Sequence, residues 1–203
     1  MPLWGAVEGS EALPKFLTTA QQKDVFANQS GWVVEAGSAM TGNGNTSADP
    51  EILVAIGGLA GASGTTGLGE ATINTVDWNT TAWSRAAGGT LSVTVRYNET
   101  VTVAVSNPTI IVTNDSRSNH TLTYASGTGT HELTFTKAYG ANNSAIHADD
   151  VLSVAAQSVV LASSSTIKDT SDTPANAELV IRAGQGTACG TITATAYYIK
   201  LVV

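Results

Sequence analysis

The fold class predicted by this 203-residue chain is an all-β sandwich, and three observations predict it. Short stretches rich in Val, Ile, Leu and Thr recur at spacings of about ten residues and alternate with period two. Clusters of Gly, Asn, Asp and Ser separate them, as turns require. Strand–helix alternation, the mark of a doubly wound sheet, is absent.

The first 30 residues are the least regular. "LTTAQQKDVFA" predicts a short helix, with Thr19 as N-cap and Gln22 completing a capping box. "GWVVEAG" (31–37) reads as a strand, and residues 38–50 as a Gly/Asn/Ser/Thr loop. "EILVAIGGLAG" (51–61) is a continuous apolar run suited to a strand buried on both faces, although periodicity alone does not exclude a helical segment. "GASGTTGLG" (61–69) reads as a surface loop; it lacks the Gly-Lys-Ser/Thr ending of a phosphate loop.

From residue 71 the strands are plainer. "ATINTVDWN" precedes "TLSVTVRY", in which Leu91, Val93, Val95 and Tyr97 share a face, and "VTVAV", in which Val101, Val103 and Val105 share one. Asn98-Glu99-Thr100 between them is either a turn or the continuation of one long strand. "TIIVT" follows, then "HTLTYASGTGTHELTFTKAYG" (120–140), a hairpin with Leu122, Tyr124, Leu133 and Phe135 on one face. A turn on Thr128-Gly129 sets Leu122 opposite Phe135, and a turn on Gly127-Thr128 sets it opposite Leu133. Burial excludes odd slips and leaves these two registers open. His120 and His131 fall on the buried-face parity near the hairpin ends. "VLSVAAQSVVLA", "AELVIRA" and "TITATAYYIKLVV" complete the strands.

Composition excludes several function classes. A net charge of -7 with only 9 Lys and Arg argues against a partner whose phosphates need neutralising, so no nucleic acid is expected. The single cysteine, Cys189, forms no internal disulfide, and no Cys/His group has zinc-ligand spacing. No stretch approaches the ~20 apolar residues that cross a bilayer, and "MPLWGAVEGSEALPKFL" has no secretory pattern. The sequons at Asn28, Asn45, Asn79, Asn98, Asn114, Asn119 and Asn142 are read as chance in a chain rich in Asn, Ser and Thr.

No catalytic residue, cofactor or metal is expected. His120, His131 and His147 have no serine or cysteine motif placed to partner them. Asp149-Asp150 and Asp169 with Asp172 supply oxygen ligands suited to calcium, but lack EF-hand spacing; capping of backbone amides is the preferred reading. Trp32, Trp78 and Trp83 are read as core, with a contact role as the alternative. A terminal "PLWG" has no local partner for its indole, so Pro2, Leu3 and Trp4 are expected to anchor the chain to a neighbouring subunit.

Two blocks resemble known families. From about residue 101 to 175, Tyr124 to Thr130, the pair Asp149-Asp150 and the segment Ile167 to Asp169 match the turn, strand opening and closing segment of bacterial immunoglobulin-like surface repeats. The resemblance implies an immunoglobulin-like sandwich within residues 71–203. "MPLWG", "GWVVEAG" and "EILVAIGGL" resemble the opening of virion structural proteins from tailed bacteriophages of marine bacteria, with "SAMTGNGNTSADP" in place of an Arg/Gly-rich stretch.

Residues 1–70 are expected to form an irregular anchoring and assembly segment with short strands, either without further order or with a small additional β-subdomain. Trp32, in its Gly-Trp-Val segment, joins Pro2, Leu3 and Trp4 as a partner-binding candidate. The expected function is a non-enzymatic capsid decoration protein, located in the virion after assembly in the host cytoplasm. Its expected partners are the major capsid protein or other virion subunits, with a homo-oligomeric or lattice-bound state. The alternatives are a tail, neck or fibre component and, from another class, a carbohydrate-binding or adhesive module.

Overall fold

The computed structural model describes residues 6–7, 11–12, 14, 17–61, 67–80, 82–83, 86–105, 107–147, 150–162, 164–194 and 199–202. Strands account for 45% of the chain and helix for 7%, which establishes the all-β class. In chain order the elements are β1 (Ala6–Val7), β2 (Glu11–Ala12), α1 (Thr19–Gln22), β3 (Val25–Asn28), β4 (Gly31–Val34), β5 (Glu51–Ala55) and β6 (Ile73–Trp78). Then follow β7 (Ala82–Trp83), β8 (Gly89–Ala104), β9 (Thr109–Asn114), β10 (His120–Ser126), β11 (Thr130–Tyr139) and β12 (Val151–Ser153). The chain ends with β13 (Gln157–Ser158), β14 (Thr166–Asp169), β15 (Val180–Ile181), α2 (Ala183–Cys189), β16 (Thr191–Ala194) and β17 (Ile199–Val202). Among the described residues no helix is long and apolar enough to cross a membrane.

The organising strand is β8. Its alternating Leu91, Val93, Val95, Tyr97 and Val101 are all buried, so one face of a 16-residue strand is committed to the core. Asn98-Glu99-Thr100 therefore continues the strand, which runs unbroken past residue 101. The first half of β8 pairs with β6 on Val93–Tyr97 and with β11 on Gly89–Arg96, while its far end pairs with β14. The path continues β11-β10-β9-β12-β16-β17-β7, and the inner faces enclose one main cluster that includes Leu91, Ile110, Leu122, Phe135, Leu152 and Ile192. Each fully buried aliphatic or aromatic side chain there contributes about 1.5–3 kcal/mol.

Residues 17–68 supply a second, smaller core. β3, β4 and β5 form an antiparallel meander, and Val25, Ala27, Trp32, Val34, Leu59 and Ala60 pack together beneath it. The meander joins the main sheet where Ala27 pairs in parallel with Glu99. Between Glu132↔Arg96 and Thr130↔Val101, β8 advances five residues while β11 advances two. That surplus interrupts the β8–β11 ladder at the level where β3 meets it.

Several local expectations are corrected. The helix cap is Thr18, with Gln21 closing the box: Gln21 N donates to Thr18 Oγ1 (3.3 Å) and Thr18 N to Gln21 Oε1 (2.9 Å). Both Thr-x-x-Gln frames satisfy the motif, and the one nearer Leu17 is used. The run at 51–61 is not buried on both faces: Ile52 is 57% and Leu53 41% exposed, because β5 pairs only with β4 and forms the outer edge. Val105 leaves the strand with φ 74° and is exposed.

The hairpin adopts neither expected register. Tyr124 pairs with Phe135 and Thr123 with Thr136, and a bulge between Tyr124 and Ser126 shifts the pairing nearer the turn by one residue more. The displacement is even, so Leu122, Leu133 and Phe135 remain buried on one face, and His120 and His131 are buried with them. "VLSVAAQSVVLA" splits into β12 and β13, and "AELVIRA" shrinks to β15.

The helix α2 was not anticipated, since "AGQGTAC" has no apolar stripe. Its amino end is capped locally, Gln185 Oε1 accepting from Arg182 N (2.7 Å), and tertiary contacts hold it: Gln185 Nε2 donates to Ile73 O (2.5 Å), and Trp78 Nε1 donates to Gly190 O (3.3 Å).

Candidate functional site

Pro2, Leu3 and Trp4 lie outside the described residues, as do Asp149 and the side chain of Trp83. Trp78 is buried in the main core. Trp32, grouped with the partner contacts, is instead only 1% exposed within the chain's own smaller core, so its indole presents no surface to a neighbour. Pairings Trp32↔Ala27 and Ala27↔Glu99 put these residues in one row across β4, β3 and β8. Trp32 Nε1 and both carboxylate oxygens of Glu99 are buried without a hydrogen-bond partner. Burial, and then repulsion from Asp169, pushes the Glu99 carboxyl up from 4.5 to about 8.

The docking of the meander on the hairpin assembles a charged junction. Arg96, on the outward face of β8, bridges Asp77 of β6 and Glu132 of β11, each at 2.5 Å, and Lys23 reaches the other oxygen of Asp77 at 2.5 Å. These groups are partly solvated, so each pair contributes modestly. Beside them His131 is buried and stacked on Phe26, centroids 4.3 Å apart and planes 12° from parallel. Its Nε2 lies 3.3 Å from the Lys23 carbonyl oxygen, 3.7 Å from Glu35 Oε2 and 4.0 Å from Glu132 Oε1.

A carbonyl only accepts, so Nε2 carries the proton. Burial holds His131 below its ordinary value, and the ring is neutral near pH 7. Glu35 is pushed up from 4.5 to about 7 by burial, then by repulsion from Glu132 and Asp24. Donor atoms of Glu35, His131 and Glu132 lie within 4.8 Å of one another. A cavity of about 430 Å³, walled also by Phe26, Thr46 and Pro50, opens over them. Only the adjacency of His131 and Glu132 was visible in sequence; Glu35 arrives through the β3–β4 pairing.

A second polar constellation ties loops together at the other end of the hairpin. His120 Nδ1 is 2.6 Å from Tyr139 Oη, and its Nε2 is 3.4 Å from Asn114 Nδ2. An amide nitrogen only donates, so Nε2 accepts and Nδ1–H faces the tyrosine. Burial lowers the His120 value and raises that of Tyr139. A cleft of about 690 Å³ bordered by Arg117, Asn119, His120, Lys137 and Tyr139 overlies this chain.

Two of the four aspartates suited to calcium, Asp150 and Asp169, act as caps. Asp150 accepts from Asn114 Nδ2 (3.0 Å) and His147 N (2.9 Å) and faces Arg117 at 3.3 Å. Asp169 accepts from Ser171 N (3.0 Å), Ser171 Oγ (2.6 Å) and Ala175 N (3.0 Å). Of the sequon asparagines, Asn98 and Asn114 are buried and bonded within the chain.

The remaining candidate is the outer edge β5. Ile52 and Leu53 lie at the bulge where the β4–β5 register shifts, and both are exposed. Among the described residues no strand covers its free side. Compared with family models, curated proteins and solved structures, the chain matches none.

Proposed function

We propose that the chain is a structural component of a tailed-bacteriophage virion, binding the outer surface of the major capsid lattice as a decoration protein and performing no covalent chemistry. The observation that carries this reading is where the virion-like segments fall. "GWVVEAG" contains β4 and "EILVAIGGL" contains β5, so two of the three familiar segments pair with each other and end in an open sheet edge. A free strand edge offers backbone donors and acceptors to an incoming strand, and the flanking side chains set specificity. Ile52 and Leu53 add exposed apolar area at that edge.

In this reading an extended segment of a capsid subunit adds to β5, and the immunoglobulin-like kinship of residues 101–175 describes the outward-facing body. Binding only the assembled lattice stabilises it by mass action, in proportion to the logarithm of free protein over Kd. The double substitution Ile52→Glu with Leu53→Lys is expected to weaken association with purified capsids by about tenfold or more. Far-UV circular dichroism should be unchanged, because both side chains are already exposed. Undiminished capsid association would remove the edge from the account.

The cleft beside His120 and Tyr139 favours the adhesive alternative, since it gathers hydroxyls, an amide and two cationic side chains around one aromatic ring. That reading predicts binding of host-surface glycans by the isolated chain. A tail or neck role is separated by copy number, a dozen or so per particle against hundreds for a coat.

A further inference from the structure

The charged junction between the meander and the hairpin has the composition of a cation site. Around it Asp24, Glu35, Asp77 and Glu132 outnumber Lys23 and Arg96, and the donor atoms of Glu35, His131 and Glu132 lie within 4.8 Å of one another. Lys23 and Arg96 are both drawn to Asp77, and Arg96 also takes Glu132 Oε1, so the uncompensated side of the junction is the one that holds Glu35. Glu35 has no lysine or arginine within ion-pair distance among the described residues, and His131 Nε2 lies 3.7 Å from its Oε2.

We propose that Glu35, His131 and Glu132 bind a divalent transition-metal ion, Zn²⁺ fitting the donor set best, and that the ion staples the amino-terminal meander to the sandwich. Ligands about 2.0–2.2 Å from a tetrahedral zinc stand roughly 3.3–3.5 Å apart. The observed separations of 3.7 and 4.0 Å from Nε2 to the two carboxylates need only small rotamer adjustments to reach that spacing. The buried imidazole is fixed by its stack on Phe26, so the nitrogen is pre-positioned while the carboxylates, each about a third exposed, can move.

On binding, the imidazole changes tautomer and stays neutral, its proton moving from Nε2 to Nδ1, and the Lys23 carbonyl oxygen it had faced is freed as a neighbouring oxygen donor. Glu132 Oε1 serves the metal with one lone pair while the other continues to accept from Arg96 Nε. The cavity above admits a water as the remaining ligand. A buried imidazole nitrogen with two carboxylates selects Zn²⁺ or a similar ion over Ca²⁺, which takes six to eight oxygens. Because Glu35 lies on the meander and His131 and Glu132 on β11, the ion would close a loop of nearly a hundred residues. The virion reading is not needed for this inference.

The test uses the full chain, freed of metal with a chelator, and ZnCl₂ or CaCl₂ as the only additions. Zinc at about a hundredfold over Kd is expected to raise Tm by about 5 °C or more, with one equivalent bound by calorimetry, and calcium to bind at least about tenfold more weakly. Glu35→Gln, at a partly exposed position that tolerates the change, should lower zinc affinity by about tenfold or more. His131→Gln should do the same, and the surface control Asp172→Asn should not. Should His131→Gln fail to fold, the Glu35→Gln comparison alone decides. No zinc-dependent shift in Tm, or a shift that survives in Glu35→Gln, would overturn the site.

Discussion

Glu99→Gln is expected to change the pH dependence of folding more than any other single substitution in this chain. The carboxyl is 1% exposed, neither oxygen has a partner, and its value stands near 8 in the folded protein against 4.5 ordinarily. Between those limits the folded state keeps a proton that the unfolded chain has released. Stability therefore falls as pH rises from 4.5 towards 8 and levels off above it. At about 1.4 kcal/mol per pH unit, the accumulated penalty is on the order of 5 kcal/mol.

Glu35 acts in the same direction over a window ending near 7, discounted because it is partly solvated. The two buried histidines, lowered by burial, act oppositely and lose stability as pH falls through 6.5. The difference between variant and wild type isolates Glu99. Urea melts should show the two nearly equal at pH 5 and the glutamine variant more stable by a few kcal/mol above pH 8. A difference that stays constant across that range would show that Glu99 is not held neutral.

Gly127→Ala is the second large effect. Gly127 sits at φ 114° in the turn of the β10–β11 hairpin, and a Cβ there would lie 1.8 Å from the Glu132 carbonyl oxygen. Backbone atoms on both sides of the turn must separate to admit it. Thr130 N and Oγ1 both donate to Gly127 O, at 3.1 and 2.8 Å, so the turn cannot open without breaking them. The expected loss is about 3 kcal/mol or more, combining left-handed strain with the clash. Gly129 is the internal control. It too has positive φ, but its Cβ would meet nothing within 4 Å, so Gly129→Ala should lose only about 1 kcal/mol. Equal losses at the two positions would refute the close-approach argument.

The strands were legible because alternation survives errors of register. Leu122, Leu133 and Phe135 stay inward although the hairpin pairs two residues away from the nearer expected register, since an even displacement keeps the same side chains on the same face. Leu91 to Tyr97 were legible for the same reason. Burial of the run at 51–55 was misjudged because composition reports how apolar a strand is and not whether a neighbour covers it. β5 is apolar and nonetheless an edge. α2 was illegible because its helix rests on bonds from Gln185 and Trp78 to distant segments, with no periodic stripe to announce it. The charged junction could not be assembled from spacing, since Lys23, Glu35, Asp77, Arg96 and Glu132 meet only when four strands are in place. Asp150 and Asp169 were rightly read as caps, because acidic side chains in turns find backbone amides close by.

The central claim is that this β scaffold works by presenting an open edge to other virion subunits. A reconstruction of purified phage particles tests it most directly. The account predicts sandwich-sized density repeated at hundreds of sites on the outer capsid, with the β5 edge against the major capsid protein. Particles that lack the chain altogether, alongside an isolated monomer that turns over a substrate, would contradict it.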